Sequence, residues 1–214
     1  LSLAAAEQHF RGLLQEHTAE LGSEDPETLL SASNLACILQ AQGRLSEAEP
    51  LLRLTVHGFE AQLGAHHSDT LAATNNLAAL LYMQEKFEAA EPLFLSVLSH
   101  RRETGCARDK ALSMTNLANL FAKTGRPFQA GRLYSLAHEA LEAALGGGHP
   151  DTLAAAEHLV KARRRVTRRR TVPAPASTIE SLLNKAAEAE AGARVQITWR
   201  PRSAQYGAGA YGAH

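Results

Sequence analysis

The sequence predicts an all-α solenoid assembled from helix-turn-helix units, and three recurrences predict it. One phrase returns along the 214 residues: Leu21-Gly22 through Pro26-Glu27-Thr28-Leu29, then Leu63-Gly64 through Asp69-Thr70-Leu71, 42 residues later. A degenerate copy, Thr104-Gly105 through Asp109 to Leu112, and a final one, Leu145-Gly146 through Pro150-Asp151-Thr152-Leu153, follow. Between these phrases, Asn34-Leu35-Ala36, Asn76-Leu77-Ala78 and Asn116-Leu117-Ala118 lie 42 and then 40 residues apart, and Glu157-His158-Leu159 continues the series. Behind each comes a turn and a second segment, marked by Ala48-Glu49-Pro50-Leu51-Leu52, Ala90-Glu91-Pro92-Leu93-Phe94 and Ala130-Gly131-Arg132-Leu133-Tyr134. A period this long belongs to stacked supersecondary units, none of which can bury its apolar face alone.

Each element follows from this register. Helices are expected near 4–20, 26–42, 46–62, 68–84, 88–103, 109–124, 128–145 and 150–165. Counting back one period from Ala48-Glu49 lands on Ala6-Glu7, with Phe10 matching Leu52. The chain therefore opens inside the second helix of a unit whose first helix is missing. A start at Leu1 instead of Met agrees with a piece of a longer protein. Thr28-Leu29 and Thr70-Leu71 launch the first helices, with Ser68 or Asp69 suited to cap one of them. Leu71, Leu77, Ala78 and Leu81 then recur at helical spacing, forming one buried stripe. Gly43 and Gly125 stand where a helix-ending residue must turn left-handed. Ala48, Ala90 and Ala130 let paired helices approach, Leu52, Phe94 and Tyr134 fill the space beyond, and Pro50 and Pro92 fall within the first turn or so of their helices. The resulting division is 1–22 as the second helix of a truncated repeat, complete repeats at 23–64, 65–104 and 105–146, and a half repeat or capping helix at 147–166. Residues 167–214 form a basic, largely disordered tail with a possible short helix at 178–190.

These features resemble the tetratricopeptide repeat: the small residue at Ala36, Ala78 and Ala118, the turn glycine, the aromatic at Phe87 or Phe128, and the second-helix alanine. The 42-residue period, the linkers of the form found at Leu145 to Leu153, and the Asn-Leu-Ala and Glu-Pro-Leu phrases are similar to the kinesin light chain type. The resemblance spans about residues 1–160. It implies a right-handed superhelix and a cytoplasmic, non-enzymatic scaffold, joined to the microtubule cytoskeleton through a motor protein. Its partners would be cargo-adaptor peptides held in the concave face, and kinesin heavy chain through segments not in this sequence, since no sustained heptads occur here. The same repeat type also serves signalling and ciliary scaffolds unrelated to motors, so that reading stays open.

Transferring the family geometry residue by residue, the first helices line the groove. Ser33, Asn34, Cys37 and Gln40 come from the first unit, Asn75, Asn76, Ala79 and Tyr82 from the second, and Thr115, Asn116, Asn119 and Lys123 from the third. Asparagine offers one acceptor and two donors, suited to the backbone of an extended peptide. The plainer alternative is that Asn34, Asn76 and Asn116 stitch neighbouring helices together. Lys123 is the main cation placed in the groove; Arg44 and Arg126 sit at turn edges. That is less charge than steering an acidic peptide requires.

Charge is divided along the chain. Residues 1–160 carry 11 Lys and Arg against 19 Asp and Glu, a net of −8, whereas 161–214 carry 11 against 3, a net of +8. The run from Lys161 to Arg170 holds seven cations in ten residues. It suits a nuclear-import patch, a phosphate backbone or an acidic membrane surface, and equally a solvated helix end, where cations are favoured. Trp199 is the first Phe, Tyr or Trp to follow the run, so the interleaving used for single-stranded nucleic acid is missing. Thr167 and Thr171 follow arginines in the manner of basophilic kinase sites, and phosphate there would cancel much of the local charge.

No catalytic set can be nominated, and no cofactor or small-molecule substrate is implied. Two cysteines, Cys37 and Cys106, form no disulfide framework or zinc spacing and fit a reducing compartment. Cys37 is expected as a small apolar filler. The ten histidines do not support a metal site, since His66-His67 and His149 sit in linkers between the repeats. Gly146-Gly147-Gly148 lacks the Lys-Ser/Thr and preceding strand of a phosphate loop, and reads as an expanded turn. No apolar run approaches the roughly 18 residues of a membrane span. In the tail, Pro173 and Pro175 mark a linker, Ser177 or Thr178 can cap a helix carrying Ile179, Leu182 and Leu183, and Ala204 to His214 is low-complexity.

Overall fold

A computed structural model of the chain describes residues 2–104 and 106–168. Eight helices fill this stretch: α1 Leu3–Glu20, α2 Pro26–Ala41, α3 Leu45–Leu63, α4 Ser68–Met83, α5 Phe87–Thr104, α6 Ala107–Lys123, α7 Pro127–Leu145 and α8 Pro150–Arg168. No strand occurs among the described residues. Each helix packs on the one before and the one after, and the first helices α2, α4 and α6 also lie side by side. The chain thus forms a solenoid in which α1, α3, α5 and α7 make the second layer.

Close approach of the two layers rests on the alanines. Ala36, Ala78 and Ala118 on the first helices, and Ala48, Ala90 and Ala130 on the second, are all wholly buried. Leu52, Phe94 and Tyr134 stand beyond them in one continuous core cluster. Each large apolar side chain buried there contributes on the order of 1.5–3 kcal/mol.

The turns between paired helices share one geometry. The amide of Arg44 donates to the Leu39 carbonyl at 2.9 Å, that of Lys86 to Leu81 at 2.9 Å, and that of Arg126 to Phe121 at 2.8 Å. This closure needs a left-handed residue just before the donor. Gly43 and Gly125 fill that place with φ of 78° and 80°; in the middle repeat Glu85 fills it with φ of 60°.

Helix starts differ from the sequence expectation at one cap. The cap of α4 is His67, whose Nδ1 accepts from the Asp69 amide at 3.3 Å, with Ser68 already helical. His149 Nδ1 plays the same part for Asp151 at 3.2 Å, as do the Asp25 carboxylate for Glu27 at 2.9 Å and the Cys106 sulfur for Asp109 at 3.4 Å. His67 and His149 thus serve as acceptors for helix-end amides. Pro50 and Pro92 also depart from expectation. Each is the sixth residue of its helix, because α3 and α5 start straight after the turn. Both are exposed, so the carbonyls of Ser46 and Glu88 that lose a backbone donor can face water.

Adjacent repeats are tied by an ion pair at matching positions. Glu7 accepts from Arg44 at 2.8 Å, Glu49 from Lys86 at 2.9 Å, and Glu91 from Arg126 at 2.6 Å. Hydrogen bonds from Gln42, Arg44 and Arg11 hold the Glu7 carboxyl at a pKa of about 2. Lys86 and Arg53 hold that of Glu49 at about 2. Residues 169–214, including Thr171, the expected helix at 178–190 and the low-complexity end, lie outside the described residues. Thr167 falls in the last turn of α8.

Candidate peptide-binding groove

Helical periodicity sends every third or fourth residue of a first helix to the same side, and these residues line three clefts along the trough. The first cleft, of about 450 Å³, lies between α2 and α4. Leu30, Asn34 and Cys37 form one wall and Ala72 and Asn76 the other, with Phe59 and Leu63 at one end and Glu27 and Asp69 at the rim. Its charged residues are acidic. The second, of about 420 Å³, repeats the arrangement between α6 and α8 with Leu112 and Thr115 facing Ala154 and His158. Arg108 bridges it to Asp151 at 2.8 Å. The third, of about 210 Å³, gathers Tyr82 of α4, Asn119 and Lys123 of α6, Tyr134 of α7, and His158 and Lys161 of α8.

The expected groove residues separate into two groups. Asn34 and Asn76 line the first cleft, while Tyr82, Asn119 and Lys123 converge on the third. Asn75 and Asn116 instead join each other: Asn75 is 8% exposed and its Oδ1 accepts from Asn116 Nδ2 at 3.0 Å. One residue along a helix is a turn of about 100°, so Asn76 looks into the trough while Asn75 looks at the neighbouring first helix. A buried amide needs such a partner. Ser33, expected on the wall, is buried at the first cleft, and Gln40 donates to the Met83 sulfur at 2.9 Å across the gap between α2 and α4.

Cys37 is exposed on the trough instead of filling the core. The cleft walls nevertheless desolvate its thiol partly, which raises its pKa. A raised thiol pKa disfavours the thiolate and so the reactivity of this cysteine.

The third cleft has the greatest chemical definition. The Tyr134 hydroxyl donates to Asn119 Oδ1 at 2.5 Å, which orients that amide. The His158 ring stacks on Tyr134 with centroids 5.4 Å apart and planes 12° from parallel, and Tyr82 leans on Phe87 at 5.7 Å. Two ammonium groups, from Lys123 and Lys161, edge the pocket, the second within 3.3 Å of Glu157. Charge patterning in the sequence groups Lys161 with the basic tail. The register does contain the signal, since Lys161 stands 42 residues after Asn119 and therefore shares its side of the helix. An arrangement of aromatic walls, an oriented amide and two cations suits a carboxylate flanked by an apolar group.

Among the described residues no group of three or more His, Cys, Asp or Glu side chains could hold a metal ion, and no helix is long and apolar enough to cross a membrane.

Comparison with known proteins gives the same architecture. Residues 28–69 and 70–104 each match the tetratricopeptide repeat family. Two crystal structures of nearly identical TPR-like repeats from a putative kinesin light chain of Podosopora anserina are similar in fold. One, of a point variant, is 22% identical, covering 91% of this chain and 89% of that one, with a TM-score of 0.69. The other is also 22% identical, covering 91% and 90%, with a TM-score of 0.68. BtubC (BKLC) from P. vanneervenii is 19% identical over 98% of this chain and 81% of its own, with a TM-score of 0.67. No curated protein matches the sequence.

Proposed function

We propose that this chain, a tetratricopeptide-repeat protein with the right-handed solenoid of kinesin light chain-like arrays, is a non-enzymatic scaffold that holds partner peptides in its concave trough. Tetratricopeptide repeats mediate protein–protein contact, and two of the arrays it resembles are described as repeats of a putative kinesin light chain. By that likeness the partners are cargo-adaptor peptides of a microtubule motor complex in the cytoplasm.

The observation that carries the reading is the meeting of Tyr82, Asn119, Lys123 and Lys161 at one cleft from three different helices. A segment with an acidic residue beside an apolar one would seat the carboxylate between the two ammonium groups and its neighbour against Tyr82 and Tyr134. The first cleft would take an apolar side chain against Leu30, Phe59 and Leu63, with Asn34 and Asn76 available to the peptide backbone.

The test is selection of binders from a displayed peptide library against the whole chain, followed by titration of Lys123→Glu with Lys161→Glu. Both positions are exposed, so circular dichroism should stay unchanged. Selected peptides enriched in Asp or Glu that bind the double variant at least ~10-fold more weakly, a loss of about 1.4 kcal/mol, support the reading. Equal affinity for both proteins would remove the third cleft from it.

A further inference from the structure

Helix α8 breaks a pattern that the other first helices keep. Leu29, Leu71 and Ala111 occupy one repeat position and are 0%, 5% and 2% exposed, whereas Leu153 at that position in α8 is 54% exposed. Ala36, Ala78 and Ala118 are 0% exposed, but their counterpart Val160 is 46% exposed. Leu39, Leu81 and Phe121 are buried, and their counterpart Arg163 lies at the surface. In the three complete repeats this strip is covered by the repeat's own second helix, α3, α5 or α7. On α8 no described residue covers it, while the other side, with Thr152, Ala155 and Ala162, is buried.

We propose that residues 178–190 of this chain fold as a helix and dock antiparallel on that strip, completing a fourth repeat. Ile179, Leu182, Leu183, Ala186 and Ala187 fall at i, i+3, i+4, i+7 and i+8, the spacing of one apolar helix face. Ala186 and Ala187 add small residues to that face. The connection, 169–177, is nine residues long and reaches up to ~30 Å when extended, ample for axes about 8–10 Å apart. Antiparallel docking sets the first turn of the segment beside the last turns of α8, where Glu180 meets Arg163 and Arg164. That complementarity, together with a connection short enough to hold the segment at high effective concentration beside α8, favours this occupant over a second copy of the chain.

The test is amide hydrogen exchange on the whole chain at several concentrations. The expected result is protection of 179–188 by at least ~10-fold over an unstructured chain, independent of concentration. Leu182→Asp with Leu183→Asp should abolish that protection and speed exchange in 153–163, with α2 to α5 unchanged. Val160→Asp, harmless to a bare surface, should also abolish protection of 179–188. Unprotected 179–188 in the native chain, protection that survives Val160→Asp, or protection that grows with concentration would each overturn the assignment.

Discussion

Replacing Gly58 by alanine sets two opposed effects against each other at the seam between α2 and α3. Gly58 is buried in the middle of α3. A Cβ built there would lie 2.7 Å from Leu29 Cδ2 and 3.2 Å from Leu29 Cγ, and closer still to Cδ1. Leu29 is wholly buried in a small cluster with Phe59 and Ala73, so it has little room to swing away. Helix propensity favours alanine by about 1 kcal/mol, whereas forcing an extra methyl into a closed core costs about 1–3 kcal/mol. The expected net effect is a loss of roughly 1 kcal/mol, read as a lower urea midpoint by far-ultraviolet circular dichroism. A double-mutant cycle separates the terms. Leu29→Ala alone should cost about 2–5 kcal/mol. With Leu29 already truncated, Gly58→Ala should turn stabilising by about 1 kcal/mol, because the clash is gone and the propensity remains. Stabilisation by Gly58→Ala in the native background would refute the reasoning, since Leu29 would then not set the approach of the two helices.

Two further perturbations probe the turns and the ties between repeats. Glu85→Gly should stabilise the chain by about 0.5–1 kcal/mol, the ~1–2 kcal/mol penalty of a left-handed side chain less the added freedom of the unfolded chain. A lowered midpoint would count against the shared turn geometry. Glu7 and Glu49 are held near a pKa of about 2, below the ordinary 4.5. Depressed carboxyl pKa values mean that the unfolded chain binds more protons, so this stability is complete above pH 4.5 and lost as pH falls towards about 2. Glu49→Gln should flatten the fall of the thermal midpoint across that window; an unchanged slope would show that the pair does not link the repeats.

Local structure is readable because every repeat reports on the others. All eight helices lie within a few residues of their expected places, since the apolar periodicity and the turns recur three times over. The column of Gly43 and Gly125 also implies a left-handed residue at Glu85, a consequence visible only once the column is followed through a residue that does not advertise it. Cap identity is harder, because His67, Ser68 and Asp69 are neighbouring acceptors and only the path of the linker selects among them.

By itself, then, the sequence determined the period, the pairing of helices and the small residues that let them touch, all properties of contacts along one chain segment or its neighbour in register. Only the tertiary structure decided which amides face the trough. Asn75 and Asn76 differ by one step of the helix, and the angle at which α4 lies against α6 makes the first a buried partner of Asn116 and the second a cleft wall. The same packing brings Lys161 to Lys123 at one cleft and leaves Leu153 and Val160 uncovered by the described helices. Helical periodicity orients side chains relative to their own axis, whereas the rotation and spacing of neighbouring axes come from the packed core as a whole.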